Sequence, residues 1–413
     1  MDFKDSPAEA EFRQEVRSWL SSHAIPREQG TPSRFSLMTE EERLAEAKTW
    51  QSKKAQARYA RLTWPIEWGG AGCSAIQQAI FSEEESRFDV PLGFFGIGLG
   101  ICIPTIMKLS DEATKRRFVF PALRGEEIWC QLFSEPAAGS DLAGIRTRAV
   151  RDGDTWVVNG QKVWTTGAHY SNYGMLLART DPSLPKHEGL TMFWVDMKSA
   201  GIEIRPIHQI SGASEFNEVY FTDVRIPDTQ RIGVIGGGWK ASLIALMNER
   251  VEGGKDRGPT LAQILEVART TPRRHGALID DQSFRQKLAR WYVQAEGLRL
   301  TRLRTLTALS RGQTPGPEAS IGKLVAVQRL QELATELLDA QGSMGVVCES
   351  SASILDGALH EDFMRAPGLR IAGGTDEILR NIIAERILGM PGEIRIDKNI
   401  PFNEINASTR TRK

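Results

Sequence analysis

The spacing of apolar residues changes twice along the 413-residue chain, and this change constrains the fold more than any other feature. Up to about residue 120, apolar residues recur at intervals of three and four, as in AEFRQEVRSWL, which predicts amphipathic helices. Between about 125 and 235 the interval becomes two, and from Trp239 to about residue 389 the helical interval returns. The sequence therefore predicts an α+β protein. It has a helical N-terminal domain, a middle antiparallel β domain, a C-terminal helical bundle and an extended tail, with bounds 1–124, 125–237, 238–392 and 393–413.

Two dipeptides in the middle segment have the composition of hairpin turns. Asp152-Gly153 and Asn159-Gly160 separate the runs TRAVR, TWVV and KVWTTG. Two-residue hairpin turns need residues that tolerate a positive φ, and Asp-Gly and Asn-Gly are preferred pairs. We therefore expect two tight turns that join three short strands.

The charge balance and composition argue against several classes of partner. Lysine plus arginine and aspartate plus glutamate both number 52, so no excess charge favours nucleic acid or an anionic membrane. The chain has no run of about 18 apolar residues that could span a membrane, and its N-terminus does not resemble a signal peptide. The four cysteines and six histidines have no metal-ligand spacing. We expect a cytoplasmic protein without a metal site.

The segments CQLFSEPAAGSD at 130–141 and NGQKVWTTG at 159–167 carry the densest set of candidate ligand-binding groups. Short hydroxyl side chains alternate with glycines, and Trp164 offers a flat apolar face. Such groups can hydrogen-bond to and stack on a planar heteroaromatic ligand. The alternative is a threonine-rich strand with a core tryptophan, and the residues alone leave both interpretations open.

A second candidate is GGTDEI at 373–378. Paired glycines and a threonine cap precede an amphipathic helix there, so backbone N–H groups at the positive end of the helix dipole could bind a phosphate. An ordinary capped helix start is the alternative. A third candidate is Glu249 in LIALMNERVEGG, because apolar neighbours would raise its pKa towards that of a general base. A solvated Glu-Arg surface pair is the alternative.

Five motifs follow one another along the chain: PIEWGGAG at 65–72, FSEPAAGSDL at 133–142, VVNGQKVWTTGA at 157–168, FNEVYFTDVRIP at 216–227 and GGTDEILRNIIAERILGMP at 373–391. In this order they resemble the successive signatures of the acyl-CoA dehydrogenase family. The similarity extends from about residue 6 to 405. It implies an N-terminal helical domain, a β domain and a C-terminal four-helix bundle, with FAD as the cofactor.

The resemblance also implies roles for individual residues. The flavin is expected to be lined by Gln131, Phe133, Ser134 and Trp164, with Thr166 near the N5 edge. From the bundle, the cofactor is expected to contact Gly374, Thr375 and Glu377. Ser140 is expected near the pantetheine of the substrate or the FAD diphosphate. Many members add an Arg-x-x-Phe-Gly motif from a neighbouring subunit. The corresponding stretch here is PRRHG at 272–276, in which Arg273 would substitute from a shifted position.

The position of the catalytic base separates two groups within the family. Short- and medium-chain members carry a glutamate directly before the Gly-Thr of the last motif, where this chain has Gly373. Isovaleryl- and long-chain members carry the base as Glu-Arg in the first helix after the β domain, which matches Glu249 and Arg250. The resemblance therefore implies Glu249 as the base, Arg250 beside the substrate, and the N–H of Gly373 as a donor to the thioester oxygen.

The resemblance implies dehydrogenation of an acyl-CoA substrate, with electrons passed to an electron-transfer flavoprotein. Gly373 leaves room for a branched or bulky acyl group, and the last motif and tail most resemble bacterial members of sterol, dicarboxylate or aromatic degradation. A homo-oligomer or a heteromer with a related subunit is expected. Two alternatives stay open: a flavin monooxygenase or oxidase on the same scaffold, and a catalytically silent subunit of a heteromeric dehydrogenase.

Overall fold

The computed structural model describes residues 5–27, 33–252, 258–311, 313, 316–317, 319–348, 353–392, 394, 397 and 399–405. The chain divides into two compact units. The first contains Ser33–Glu249 with both terminal segments, and the second contains Arg250–Gly392. Each unit is described by itself below.

The N-terminal part of the first unit is helical, as the spacing predicts. Its helices are α1 (Pro7–His23), α2 (Glu40–Gln56), α3 (Ala75–Glu85), α4 (Ile103–Leu109) and α5 (Glu112–Leu123), with the short strands β1 (Ile25–Pro26) and β2 (Phe88–Asp89). Helices α1, α2 and α3 begin with capping boxes at Ser6, Thr39 and Ser74, which satisfy N–H groups left free in the first turn. Their apolar faces bury a cluster that includes Leu20, Trp50 and Phe81.

The middle of the first unit is one sheet. Its strands are β3 (Trp129–Leu132), β4 (Arg148–Asp152), β5 (Thr155–Lys162), β6 (Tyr173–Arg179), β7 (Leu190–Asp196), β8 (Ile202–Pro206), β9 (Asn217–Pro227) and β10 (Arg231–Ile232). The order is β10-β7-β6-β4-β5-β9-β8, and β3 pairs with β6. The sheet is mixed rather than purely antiparallel. Strand β3 pairs with β6 in parallel, and Arg148, the first residue of β4, forms a parallel pair with Arg179 of β6.

The two predicted hairpin turns have different outcomes. A tight turn is present next to Asp152 but lies one residue further along: Asp152 pairs with Thr155, so the loop residues are Gly153, with φ +62°, and Asp154. The Asn159-Gly160 turn is wrong, because β5 continues through both residues and only shifts its register against β9. Gly160, at φ +154°, lies so close to Thr147 that an added Cβ would be 2.6 Å from the Thr147 Cα. The dipeptide forms a β-bulge, where a glycine permits close backbone approach.

The second unit is helical. Helix α6 (Gly238–Glu252) leads into it, followed by α7 (Leu261–Thr270), the hairpin of β11 (Pro272–Arg273) and β12 (Gly276–Ala277), α8 (Gln282–Ser310), α9 (Ala319–Ala340), α10 (Ala358–Ile371) and α11 (Asp376–Arg386). Its apolar core includes Trp291, Leu337 and Leu359, from α8, α9 and α10. The α+β fold class is thus confirmed. Within the described residues, no helix is long and apolar enough to cross a membrane.

Candidate active site

Backbone hydrogen bonds bring the first two predicted segments together at one corner of the sheet. The N–H of Val163 donates to the carbonyl of Ser134 at 2.9 Å. On the other side, Thr165 and Asn217 exchange two N–H to carbonyl bonds of 3.0 Å each. The segment after β5 is therefore held between the loop after β3 and the start of β9. We call the segments 131–135 and 162–167 the sheet corner.

A buried ion pair lies within the sheet corner. The Lys162 side chain is fully buried, and its Nζ donates to the Phe133 carbonyl at 3.0 Å and to Glu135 Oε1 at 2.8 Å. The N–H groups of Arg146 and Thr147 also donate to Glu135, at 2.6 and 2.9 Å. The pair fixes the backbone at Phe133 and Glu135, on either side of Ser134.

Burial and pairing act in opposite directions on this ion pair. Burial lowers the pKa of Lys162 to about 8, although Glu135 opposes the shift. Burial also disfavours the Glu135 carboxylate, but the charge of Lys162 and the hydrogen bonds from Lys162, Thr147 and Arg146 outweigh it and lower the pKa of Glu135. Both groups are therefore ionised at neutral pH, where each compensates the other in a water-poor site.

Trp164 has two properties that are unusual for a tryptophan in a folded domain. Its side chain is 57% exposed, although it is the largest apolar side chain of its segment. Its backbone has φ +58°, a left-handed conformation that is a genuine outlier for a bulky residue. Such strain persists only where surrounding structure enforces it, and it concentrates at functional sites. The core alternative for Trp164 is therefore wrong, since the indole faces outwards.

Two buried polar atoms of the sheet corner have no hydrogen-bond partner among the described residues: Gln131 Nε2 and Thr165 Oγ1. Buried polar groups are nearly always satisfied, so each orphan needs an explanation such as an absent ligand. Phe133 is buried beside them, and Ser134 is half-buried.

Ser140 lies further along the same loop and is exposed. The next residue, Asp141, accepts two hydrogen bonds from Lys186 Nζ, at 3.1 and 3.0 Å. Ser140 is therefore accessible to a ligand and adjacent to an anchored residue.

In the second unit, the GGT segment has the local structure that the sequence predicts. Gly373 and Gly374 have φ +63° and +97°, values that glycine adopts without strain. Thr375 caps α11, because its Oγ1 accepts from the N–H of Ile378 at 3.2 Å. Lys323 Nζ donates to the Gly374 carbonyl at 2.6 Å and to the Arg370 carbonyl at 3.1 Å. Lys323 of α9 thus fixes the backbone of this loop.

Asp376, the first residue of α11, belongs to a structural network. It is 2% exposed and accepts from Arg370 Nε at 2.7 Å and from Gln328 Nε2 at 3.1 Å. Burial opposes ionisation, but the hydrogen bonds from Gln328 and Arg370 outweigh it and lower the pKa of Asp376. The next residue, Glu377, is exposed.

The remaining predicted residues stand as follows. Arg273 is exposed, and its Nη1 donates to the Ala340 carbonyl at the end of α9, at 2.6 Å. Helix α6 includes Glu249 and Arg250, but their side chains lie outside the described part of the chain. The structure thus brings together the predicted residues of the sheet corner in one unit and Gly373, Gly374, Thr375 and Glu377 in the other.

Sequence reasoning missed Lys162, Glu135 and Asn217. A signal for Lys162 exists, because it shares the parity of Trp156 and Val158 on β5, both of which are buried. A lysine on a buried face requires a carboxylate partner nearby. Glu135 is the carboxylate of the adjacent motif, but its pairing depends on the contact between the two segments.

Comparisons with known proteins agree over almost the whole chain. Three family models match: acyl-CoA dehydrogenase N-terminal domain at 6–126, middle domain at 130–224 and C-terminal domain at 236–388. Acyl-CoA dehydrogenase IpdE1 of Mycobacterium tuberculosis is 37% identical, over 93% of this chain and 98% of its own length. Acyl-CoA dehydrogenase FadE34 of the same organism is 39% identical over 79% of this chain. The match covers only 44% of the length of FadE34.

Two solved structures have the same fold. The Tcur3481-Tcur3483 steroid ACAD superposes with a TM-score of 0.78 at 28% identity, covering 95% of this chain and all of that one. The ChsE4-ChsE5 complex from M. tuberculosis superposes with a TM-score of 0.76 at 30% identity and the same coverage.

The residues present fit a flavin. The outward indole of Trp164 offers a stacking face, and the unpartnered Gln131 Nε2 and Thr165 Oγ1 are available to hydrogen-bond to a ligand. The glycine pair and capped helix start in the second unit suit a phosphate. With three matching domain models and a full-length relative at 37% identity, the chain belongs to the acyl-CoA dehydrogenase family, whose members are FAD flavoproteins.

Proposed function

We propose that this protein introduces an α,β double bond into the acyl group of a coenzyme A thioester, with bound FAD as the hydride acceptor. The observation that carries the proposal is the sheet corner, where an exposed, strained tryptophan adjoins unpartnered polar groups. In this proposal Gln131, Phe133, Ser134, Trp164 and Thr166 hold the cofactor from the first unit. Gly374, Thr375 and Glu377 hold it from the second unit. The proposed domain bounds are 1–124, 125–237, 238–392 and 393–413.

Glu249 is proposed to remove the α proton. Two nearby carboxylates of the last motif are weaker candidates. Asp376 is held ionised by Arg370 and Gln328, so its lowered pKa makes it a poor base. Glu377 is exposed, and the proposal already assigns it to the cofactor. Gly373 has no side chain to act, so the Glu-Arg pair at 249–250 is the remaining family position.

The thioester oxygen must be stabilised while the α proton leaves, because an enolate develops there. The N–H of Gly373 is proposed as one donor, and Lys323 supports it by fixing the carbonyl of the next residue. A preorganised backbone donor stabilises developing charge without reorganisation during the reaction. Arg250 and Ser140 are proposed to bind the non-reacting parts of the substrate.

The acyl group is proposed to be bulky and polycyclic. Gly373 leaves space where other members carry a glutamate, and a 28% identical relative is described as a steroid ACAD. The Tcur3481-Tcur3483 steroid ACAD and the ChsE4-ChsE5 complex are each named for two different proteins. This supports a heteromer with a related subunit over a homo-oligomer. An electron-transfer flavoprotein is proposed as the electron acceptor.

The test is anaerobic flavin reduction by a panel of straight-chain, branched and steroid-derived acyl-CoAs, with Glu249→Gln beside the native protein. Loss of a general base should slow reduction about 10² to 10⁴-fold while acyl-CoA binding persists. Glu252→Gln, which removes a carboxylate from the same helix, should reduce flavin at the native rate. Native-rate reduction by Glu249→Gln would show that another group takes the proton.

A catalytically silent subunit is the second candidate. It is favoured by Gly373 and by Arg273, whose guanidinium bonds to the Ala340 carbonyl of its own unit. Under this alternative, the purified chain reduces no flavin with any acyl-CoA until a related subunit is added. Peroxide release without acyl-CoA turnover would instead indicate an oxidase.

A further inference from the structure

The C-terminal tail lies against the loop that carries Ser140, through two cations. We call residues 140–145 the ligand loop, since the proposed function places Ser140 at a non-reacting part of the substrate. In the tail, Phe402 and Asn403 donate backbone N–H bonds to the carbonyls of Leu184 and Pro182, at 3.0 Å each. The tail residues therefore run alongside the turn between β6 and β7.

The first cation is Lys186. Its Nζ binds both oxygens of Asp141 in the ligand loop and, at 2.6 Å, Asp397 Oδ2 in the tail. The lysine side chain is only 12% exposed, so it depends on these carboxylates to replace water. Removing the tail carboxylate would leave one partner and admit water to the lysine.

The second cation is Arg179, which is 3% exposed. Its Nη2 and Nε donate to the carbonyls of Ala143 and Ile145 in the ligand loop, at 2.5 and 3.1 Å. The Phe402 ring covers the guanidinium at 3.6 Å from the ring centroid. Arg179 hydrogen-bonds to backbone carbonyls, the nearby carboxylates of Glu135 and Asp141 favour its charged form, and the Phe402 ring covers the guanidinium with a cation–π contact.

We propose that Asp397 and Phe402 are positioning residues, which act through Lys186 and Arg179 to fix the ligand loop for binding of the coenzyme A chain of the substrate. The proposal rests on the proposed function for the identity of the ligand, but the loop contacts themselves do not. Because the loop would bind a non-reacting part of the ligand, its loss raises KM and leaves kcat unchanged.

The experiment compares four tail variants of the full-length holoenzyme: Asp397→Asn, Phe402→Leu, Phe402→Tyr and the control Glu404→Gln. Glu404 is exposed in the same tail, so its variant removes one charge without touching either cation. Hydrogen exchange is measured at the amides of Gly144 and Ile145, which are hydrogen-bonded within the ligand loop. KM and kcat are measured with an acyl-CoA that reduces the native protein.

Asp397→Asn should speed exchange about fivefold, because a partly exposed ion pair contributes about that factor. Phe402→Leu should speed it about two- to fivefold, since it keeps the apolar bulk but not the cation–π contact, and Phe402→Tyr should restore the native rate. KM should rise in Asp397→Asn and Phe402→Leu, while kcat keeps its native value. Glu404→Gln should keep the native exchange rate, KM and kcat.

Unchanged exchange in both variants overturns the proposal, as does faster exchange with an unchanged KM. If none of the acyl-CoAs tested reduces the flavin of the native protein, the proposed function fails. The exchange rates still decide whether the tail fixes the loop.

Discussion

Lys162→Met tests whether the buried ion pair holds the sheet corner in place. Methionine has a similar volume but no charge, so Glu135 would stay buried without its cation. Breaking one side of a buried pair typically costs about 3–5 kcal/mol. Glu135 keeps the N–H donors of Arg146 and Thr147, which places the cost near the lower end, and the Phe133 carbonyl loses its donor, for about 1 kcal/mol more. We expect a total of about 4 kcal/mol.

Thermal unfolding followed by near-ultraviolet circular dichroism measures this loss. A domain of 150–250 residues loses about 2–4 °C per kcal/mol, so the midpoint of the first unit should fall by about 8–16 °C. Lys198→Met removes an exposed lysine from the same sheet domain and should change the midpoint by less than about 2 °C. Flavin content, measured after gel filtration, should fall with the midpoint.

A double-mutant cycle with Glu135→Gln identifies the cause. Removing both charges abolishes the unpaired carboxylate, so Lys162→Met/Glu135→Gln should be more stable than Lys162→Met alone. If the double variant instead equals the sum of the single losses, the two groups act independently. The electrostatic explanation of the corner would then be refuted.

Three further predictions concern the same unit. Gly167→Ala should destabilise it by more than about 1 kcal/mol, because φ is +66° and the new Cβ would lie 2.3 Å from Tyr170 Oη; Gly139→Ala, in open space, is the control for the melting curves. Trp164→Ala should weaken FAD binding in fluorescence titrations without lowering apoprotein stability, since it removes stacking area from a strained, exposed residue. Glu135 has a pKa below its ordinary 4.5, so its stabilising contribution is present above that pH and is lost as the pH falls through the folded pKa; Glu135→Gln melting curves should lack this step.

The sequence predicted those parts of the fold that depend on local periodicity and end signals. Helices α1 and α3 are predicted because their apolar spacing is regular, and α11 because a threonine cap also precedes its regular spacing. The same local rules failed at Asn159-Gly160, where the composition of a turn lies inside a continuous strand. The long pairing with β9 and the approach of Thr147 outweigh the local preference, and neither is visible in a seven-residue window.

The candidate site, like the fold, has some features that follow from local sequence motifs and others that follow from tertiary contacts. The resemblance implies flavin contacts for Ser134, Trp164 and Thr166, but it does not indicate that Trp164 is strained or that a lysine is buried two residues before it. Both facts arise from contacts between segments about 30 residues apart, as in the 27-residue separation of Lys162 and Glu135. Such a pair offers little net stability over apolar residues of equal volume. What the pair provides is the set of hydrogen bonds from Lys162 to the Phe133 carbonyl and to Glu135, which fix the chain on both sides of Ser134 and which an apolar pair could not make.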